Sequence, residues 1–201
     1  LTKIFNKSLL PVYDKPMIMY PLETLKQLGC EEIMIVSGRE HSGQIMSQLG
    51  SGAEFDVALT YRVQEKPGGI AQALSICKQF CNGGSLAVCL GDNIFEHDFT
   101  GFEFGGGAHI FLKRVPDPER FGVAEVTFNE VVSIEEKPKK PKSDLCVTGL
   151  YVYDNQVWDI IDNLKPSDRG ELEITDVNTA YVKSNHMGYT QLDGFWSDAG
   201  T

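Results

Sequence analysis

The 201-residue sequence has few cationic residues and no long apolar run. Lysine and arginine together number 18, against 28 aspartates and glutamates, so the formal net charge is −10. Because phosphate backbones are bound by clustered cations, this balance argues against a nucleic-acid partner, although it leaves room for a local basic site. A membrane-spanning helix needs about 20 apolar residues. The sequence offers neither such a segment nor a secretory signal, so no membrane partner is expected.

Cysteine and histidine are also scarce, with five and four residues. The cysteines lie mostly inside apolar runs and lack the paired spacing of a zinc site, which is typical of buried, reduced thiols. Because disulfides are rare in the cytoplasm, this pattern predicts a cytoplasmic protein. The histidines have no motif partners, which argues against a triad of nucleophile, base and acid.

Short segments of strand and helix character alternate along the chain. Residues 32–37 and 86–90 have the continuous apolar pattern of strands buried on both faces, whereas residues 69–80 have apolar side chains at helical spacing. This alternation predicts one α/β domain over residues 1–201, with three layers and a Rossmann-like, mostly parallel central sheet.

Two features predict that segments of such a domain are missing. The first residues lack the opening strand that an α/β fold needs, and sixteen residues without helical character (93–108) stand where a crossover helix is expected. We therefore expect a first strand ahead of residue 1 and further missing residues near 100–107.

Charged and glycine-rich stretches follow several predicted strands or open predicted helices. These candidates are Lys7, Gly68 and Gly69, Asp92, Gly122, Glu136 and Lys137, and Asp198. Each has a plainer structural explanation when taken alone, since Gly-Asp-Asn is ordinary turn chemistry and a surface ion pair contributes little. Together they suit magnesium-assisted phosphoryl or nucleotidyl transfer, because Mg²⁺ takes one or two carboxylates plus substrate phosphates.

The ordered segments KSLLPVYDKPMIMYPLETL, GGIAQAL, LGDNIF, IEEKPKKPKS, GELEITD and WSDAGT resemble the glucose-1-phosphate thymidylyltransferases. The resemblance spans nearly the whole chain, and the ending FWSDAGT is similar to the shorter bacterial branch. It implies a nucleotidyltransferase fold and the formation of dTDP-glucose and pyrophosphate from dTTP and glucose 1-phosphate. It also implies an Mg²⁺-dependent, in-line attack on the α-phosphate and a place in the route to dTDP-rhamnose and polysaccharides.

The same resemblance implies roles for ten residues. Lys7, Asp92, Lys137 and Asp198 match catalytic positions, and the two aspartates match the Mg²⁺ ligands. The remaining six match substrate-binding positions: Gln64 and Gly69 for the thymine base, Gly122, Glu136 and Val147 for the glucosyl hydroxyls, and Arg169 for the sugar-phosphate side.

Several alternatives stay open on the sequence alone. The same chemistry could use UTP or CTP, since base choice depends on a few loop contacts. A sugar-nucleotide-binding module without catalysis is the second alternative, because the glycine-rich phosphate loop of the family would lie ahead of residue 1. The oligomeric state is open too, with a homo-oligomer among the alternatives.

Overall fold

A mixed β-sheet flanked by helices forms the centre of the computed structural model, which describes residues 6–200. The strands are β1 (Pro11–Val12), β2 (Lys15–Pro16), β3 (Glu32–Gly38), β4 (Ala58–Gln64), β5 (Leu86–Cys89), β6 (Asn93–Phe95), β7 (Ala108–Arg114), β8 (Gly122–Thr127), β9 (Glu130–Glu136), β10 (Leu145–Tyr153), β11 (Met187–Gln191) and β12 (Trp196–Asp198). The helices are α1 (Met19–Gln27), α2 (Ser42–Leu49), α3 (Ile70–Ser75), α4 (Lys78–Cys81), α5 (Val157–Asp162) and α6 (Ile174–Lys183). The helix predicted over 69–80 is thus divided between α3 and α4.

The six-stranded central sheet has the order β11-β7-β10-β8-β9, and β5 also pairs with β10. Four of its five pairings are antiparallel, and the remaining one, β11 with β7, is parallel. Strands β3 and β4 form a separate parallel pair. The prediction of a mostly parallel sheet is therefore corrected to a mixed sheet.

The direction of β10 explains this correction. All nine residues of β10 are buried. The strand follows the β8–β9 hairpin and inserts between β7 and β5 in the opposite direction to both. Burial on both faces gives the same sequence pattern in a parallel or an antiparallel strand, so the pattern reports burial and not direction.

The two faces of β10 contribute to different parts of the core. Tyr151 and Tyr153 pack with α3, α5 and α6 on one face, whereas Leu150 and Val152 belong to a cluster on the other. On that second face, the segment after β6 forms no crossover helix, and its Phe99 is 2% exposed. The core is therefore covered on both sides of the sheet, and the prediction of missing residues near 100–107 stays a prediction.

Helix α6 shows how the sequence pattern fixes the layer next to the sheet. Ile174, Val177 and Tyr181 are buried at positions i, i+3 and i+7, so one helical face packs on the core. The ring of Tyr181 stacks on that of Tyr153, with centroids 5.7 Å apart. This packing fixes the rotation of the helix and turns Thr175 towards the end of β9.

A cleft of about 830 Å³ separates the β3–β4 pair from the central sheet. Strands β3 and β5 both line it, and no pairing joins these two strands within residues 6–200. The predicted first strand lies outside the described residues and stays a prediction. Across the same described range, no helix combines the length and apolar character needed to cross a bilayer.

His109 on β7 is a neutral histidine packed among aromatic rings. Its ring centroid lies 4.9 Å from that of Phe102 and 5.2 Å from that of Phe111, and its Nε2 is 2.9 Å from Thr190 Oγ1. Burial lowers the pKa of His109 to about 4. Between pH 6.5 and 4 the unfolded chain therefore binds a proton that the folded chain does not.

We expect the free energy of unfolding to fall as the pH drops from about 6.5 to 4, by about 1 kcal/mol through His109. Urea unfolding at a series of pH values measures this slope, which His109→Gln should reduce. The exposed His186 provides the control, because His186→Gln should keep the wild-type slope. An unchanged slope in His109→Gln would contradict the assignment.

Candidate active site

Strand β5 ends in a turn that lies directly on the middle of β10. Leu90 N–H donates to the carbonyl oxygen of Gly149 at 2.8 Å, and Gly149 N–H donates to Asn93 Oδ1 at 2.9 Å. A Cβ added to Gly149 would lie only 2.6 Å from Cγ of Asn93. The missing side chain at position 149 therefore allows the turn that carries Asp92 to rest on the central strand.

Asn93 joins three segments through one buried amide. The residue is 1% exposed, and its Oδ1 also accepts a hydrogen bond from Trp196 Nε1 at 2.9 Å. Its Nδ2 donates to Asp92 Oδ1 at 3.2 Å. Sequence reasoning missed Asn93, because an asparagine within a turn motif gives no sign of burial.

The pairing of β6 with β12 brings the two predicted aspartates together. Asp198 lies opposite Asn93 in this antiparallel pair, and Ala199 N–H donates to the carbonyl oxygen of Asp92 at 2.9 Å. A Cβ added to Gly200 would overlap Asp92 Oδ2 and would lie 2.6 Å from Asp198 Oδ1. Both carboxylates therefore face the same small space beside the last glycine.

Lys7 borders the same space. Its Nζ lies 3.3 Å from Asp92 Oδ2 and would lie 2.9 Å from a Cβ on Gly200. Lys7 opens a short 3₁₀ turn that is capped by Asn6, since Ser8 N–H donates to Asn6 Oδ1 at 2.7 Å. The Lys7 side chain is 35% exposed, so this pair stabilises the fold little and its main effect is local charge balance.

The two carboxylates supply oxygen donors that suit a hydrated magnesium ion, and the Lys7 ammonium lies beside them. Within residues 6–200, no group of three or more histidine, cysteine or acidic side chains is arranged to hold a metal. Mg²⁺ does not require such a cage, because it is commonly held by one or two carboxylates and completed by water and substrate phosphates. Asp92 and Asp198 are thus the residues that could hold this ion.

Gly122, Glu136 and Val147 lie side by side on three neighbouring strands. Gly122 on β8 pairs with Val147 on β10 and with Glu136 on β9. A Cβ at Gly122 would meet Glu136 Oε2 at 3.5 Å and Thr175 Oγ1 at 3.7 Å. The bare glycine leaves a small polar space, in which Thr175 Oγ1 donates to Glu136 Oε2 at 2.6 Å. Sequence reasoning missed Thr175, although its motif was recognised.

Lys137 leaves β9 in an unusual backbone conformation. Its φ is 44°, in the left-handed region that non-glycine residues rarely adopt, and its N–H donates to the carbonyl oxygen of Phe121 at 2.9 Å. Its Nζ lies 4.0 Å from Glu136 Oε1. Strained backbone of this kind costs about 1–3 kcal/mol and is concentrated at functional sites.

Arg169 is held by two carboxylates of its own loop. Its guanidinium donates to both oxygens of Glu173 at 2.9 Å, and Glu171 lies 3.6 Å away. Hydrogen bonding to Glu173 raises the pKa of Arg169. Burial raises the pKa of Glu173, but hydrogen bonds from Ser167 and Arg169 outweigh it and lower this pKa overall.

Gln64 and Gly69 lie at the end of β4 and the start of α3. Gly69 has a φ of 93°, and an added Cβ would overlap the carbonyl oxygen of Leu172, so this position requires glycine. Five of the ten predicted residues line the large cleft, namely Gln64, Gly69, Glu136, Lys137 and Arg169. Gly91, the neighbour of Asp92, lines it as well. The structure therefore brings these five positions to one cleft, whereas the other five are not among its lining residues, namely Lys7, Asp92, Gly122, Val147 and Asp198.

Comparison with known proteins shows the family of the chain. The model of the nucleotidyl transferase family matches residues 1–201. The chain is 45% identical to the glucose-1-phosphate thymidylyltransferase of Neisseria gonorrhoeae, with all of this chain and 73% of that protein aligned. It is 42% identical to the glucose-1-phosphate thymidylyltransferase of an Actinoplanes species, of which it covers 69%.

The chain belongs to the nucleotidyl transferase family. The resemblance to the glucose-1-phosphate thymidylyltransferases is thus confirmed. A crystal structure of a Bacillus anthracis protein, assigned in its name as a glucose-1-phosphate thymidylyltransferase and solved in complex with a sucrose, is 50% identical to this chain. The two superpose with a TM-score of 0.94 over 100% of this chain and 83% of that chain. A UDP-glucose pyrophosphorylase complexed with UDP-glucose has 23% identity, a TM-score of 0.87 and coverage of 100% and 87%, which shows the shared fold. The three-layer α/β nucleotidyltransferase fold is confirmed.

In this nucleotidyl transferase we expect Asn93→Ala to lower the free energy of unfolding by about 2 kcal/mol or more. The change leaves the N–H groups of Gly149 and Trp196 without their acceptor in a buried site. Chemical denaturation measures the loss. Asn155 is exposed and serves as the control, since Asn155→Ala should change stability by less than about 0.5 kcal/mol. Equal effects of the two variants would contradict the role of Asn93.

Proposed function

We propose that this protein forms dTDP-glucose and pyrophosphate from dTTP and glucose 1-phosphate. The observation that carries the proposal is the convergence of Asp92, Asp198 and Lys7 beside Gly200. The acidic pair adjoins the cleft through Gly91, and the same cleft is lined by Gln64 and Glu136. A nucleotide and a sugar phosphate bound there would meet with their phosphates next to the acidic pair.

The proposed cofactor is Mg²⁺, held by Asp92 and Asp198. When bound, this ion would neutralise charge on the phosphates during transfer. The two carboxylates would otherwise repel a triphosphate, and Lys7 beside them offsets only part of their charge. A divalent cation bound between the two carboxylates and the triphosphate would remove this repulsion.

The proposed reaction is an in-line displacement at phosphorus. An oxygen of glucose 1-phosphate attacks the α-phosphorus of dTTP, and pyrophosphate leaves. Lys7 and Lys137 would supply positive charge to the phosphate oxygens, where charge redistributes in the transition state. Fixed cations help most when they are placed before the reaction, and the Lys137 ammonium lies near Glu136 at the wall of the cleft.

The proposed glucosyl site is the space bounded by Gly122, Glu136, Val147 and Thr175. Glu136 offers carboxylate oxygens to sugar hydroxyls, and the hydrogen bond from Thr175 holds that carboxylate in place. Arg169 would contact the sugar-phosphate side by exchanging its bonds with Glu173 for bonds to phosphate. A hydroxyl-binding space next to a cation fits a sugar phosphate better than it fits a free sugar or a free phosphate.

The proposed location is the cytoplasm, as the sequence predicts. All five cysteines are free thiols, which supports a reducing compartment. Burial raises the pKa of Cys77 to about 11, which keeps this thiol protonated and unreactive. The proposed product would supply the dTDP-rhamnose route and polysaccharide synthesis.

We expect Asp92→Asn to reduce turnover by about 100-fold or more while the fold is kept, since the amide has lost the negative charge that holds a cation. The turnover is measured in the full-length protein as pyrophosphate release from dTTP and glucose 1-phosphate in the presence of Mg²⁺. The control is Asp162→Asn, because Asp162 forms an exposed pair with Lys78. Near-normal release by Asp92→Asn would rule out the metal assignment.

We expect dTTP to give the fastest pyrophosphate release with glucose 1-phosphate when dTTP, UTP and CTP are compared. Faster release from UTP or CTP would replace the proposed nucleotide and keep the chemistry. Tight binding of dTDP-glucose without any release from the full-length protein would favour a binding module that has lost catalysis.

A further inference from the structure

The side-chain amide of Gln64 is held in one orientation by two acceptors. Its Nε2 donates to the carbonyl oxygen of Gly69 at 3.2 Å and to Gln72 Oε1 at 2.6 Å. A backbone carbonyl can only accept, so the amide nitrogen of Gln64 must face Gly69. Both N–H bonds of the amide are then used, and Oε1 is the polar atom that Gln64 retains for a ligand in the cleft.

We propose that Gln72 is a positioning residue that, together with the carbonyl oxygen of Gly69, holds Gln64 as a hydrogen-bond acceptor for the nucleobase. This inference rests on the proposed function, in which Gln64 lies at the base. Thymine and uracil carry a hydrogen on N3, which an acceptor binds, whereas N3 of cytosine is itself an acceptor. Gln72 is the second acceptor that holds the Gln64 amide with its oxygen available, and this orientation favours thymine or uracil over cytosine.

The backbone of Gly69 completes a pattern of one acceptor and one donor. Within residues 6–200 the N–H of Gly69 donates to no acceptor. Gly69 directly precedes α3 and lines the wall of the cleft. Thymine and uracil present a carbonyl oxygen beside N3–H, which matches a donor beside an acceptor. Cytosine presents an amino group beside a bare N3, which is the reverse pattern.

The bare backbone at Gly68 allows Gln72 to reach Gln64. A Cβ at Gly68 would lie 3.0 Å from Gln72 Cγ, so the side chain of Gln72 packs directly on this loop. The loop is in turn fixed by Leu172, whose N–H donates to the oxygen of Gly68 at 2.8 Å and whose oxygen accepts from Ala71 N–H at 3.2 Å. Gln72 therefore holds the Gln64 amide from the first turn of α3, and Leu172 anchors that turn.

The test compares Gln72→Met, which removes the acceptor at similar length, with Gln72→Glu, which keeps an oxygen in its place. In the full-length protein, kcat/KM is measured for dTTP and for CTP, together with KM for glucose 1-phosphate. We expect Gln72→Met to lower the preference for dTTP over CTP by about tenfold, through KM for the nucleotide. The KM for glucose 1-phosphate should stay unchanged, and Gln72→Glu should keep the wild-type preference.

Gln79→Met on α4 is the matched control, since this glutamine is exposed and should leave the preference unchanged. Gln72→Ala replaces Gln72→Met if the methionine variant does not fold. A wild-type preference in the variant without the acceptor would overturn the role of Gln72. If the wild type releases no pyrophosphate, the proposed function fails. The role of Gln72 is then decided by calorimetry, which measures the ratio of the affinities for dTDP and CDP in the same variants.

Discussion

The buried amide of Asn93 is the interaction on which the arrangement of the site depends. It accepts hydrogen bonds from Gly149 N–H in the central strand and from Trp196 in the last strand, and it donates to Asp92. An unpaired donor in such a place is costly, so the three segments are held in one arrangement. Asp198 follows Trp196 in the same strand, and the two carboxylates meet for this reason.

Charge is the second constraint, because the protein is acidic and the proposed reaction uses two phosphorylated ligands. With a formal net charge of −10, the overall field opposes phosphate binding, so the local groups decide it. Lys137 and Arg169 line the cleft, and Lys7 lies beside the acidic pair. Each of these cations has a carboxylate neighbour in the structure. Binding of phosphate would therefore exchange one set of negative partners for another.

The sequence predicts those features that depend on local pattern. The apolar run of residues 86–90 predicts strand β5, although its residues are only partly buried because they line the cleft. The helix beginning after Gly69 follows from its apolar spacing, whereas the role of Asp92 comes from the family resemblance and not from the run itself. The direction of β10 could not be predicted, because full burial looks alike in both directions. The parts played by Asn93 and Gln72 also escape prediction, since each depends on partners that are distant in sequence or set by side-chain orientation.

The placement of the metal between Asp92 and Asp198 is tested most directly by a crystal structure of the full-length protein with dTDP-glucose and Mn²⁺, in which anomalous scattering locates the ion. We predict one peak in contact with a carboxylate oxygen from each of Asp92 and Asp198 and with phosphate oxygens of the nucleotide. An ion held by other residues, or the absence of a peak at full nucleotide occupancy and saturating Mn²⁺, would contradict the central claim.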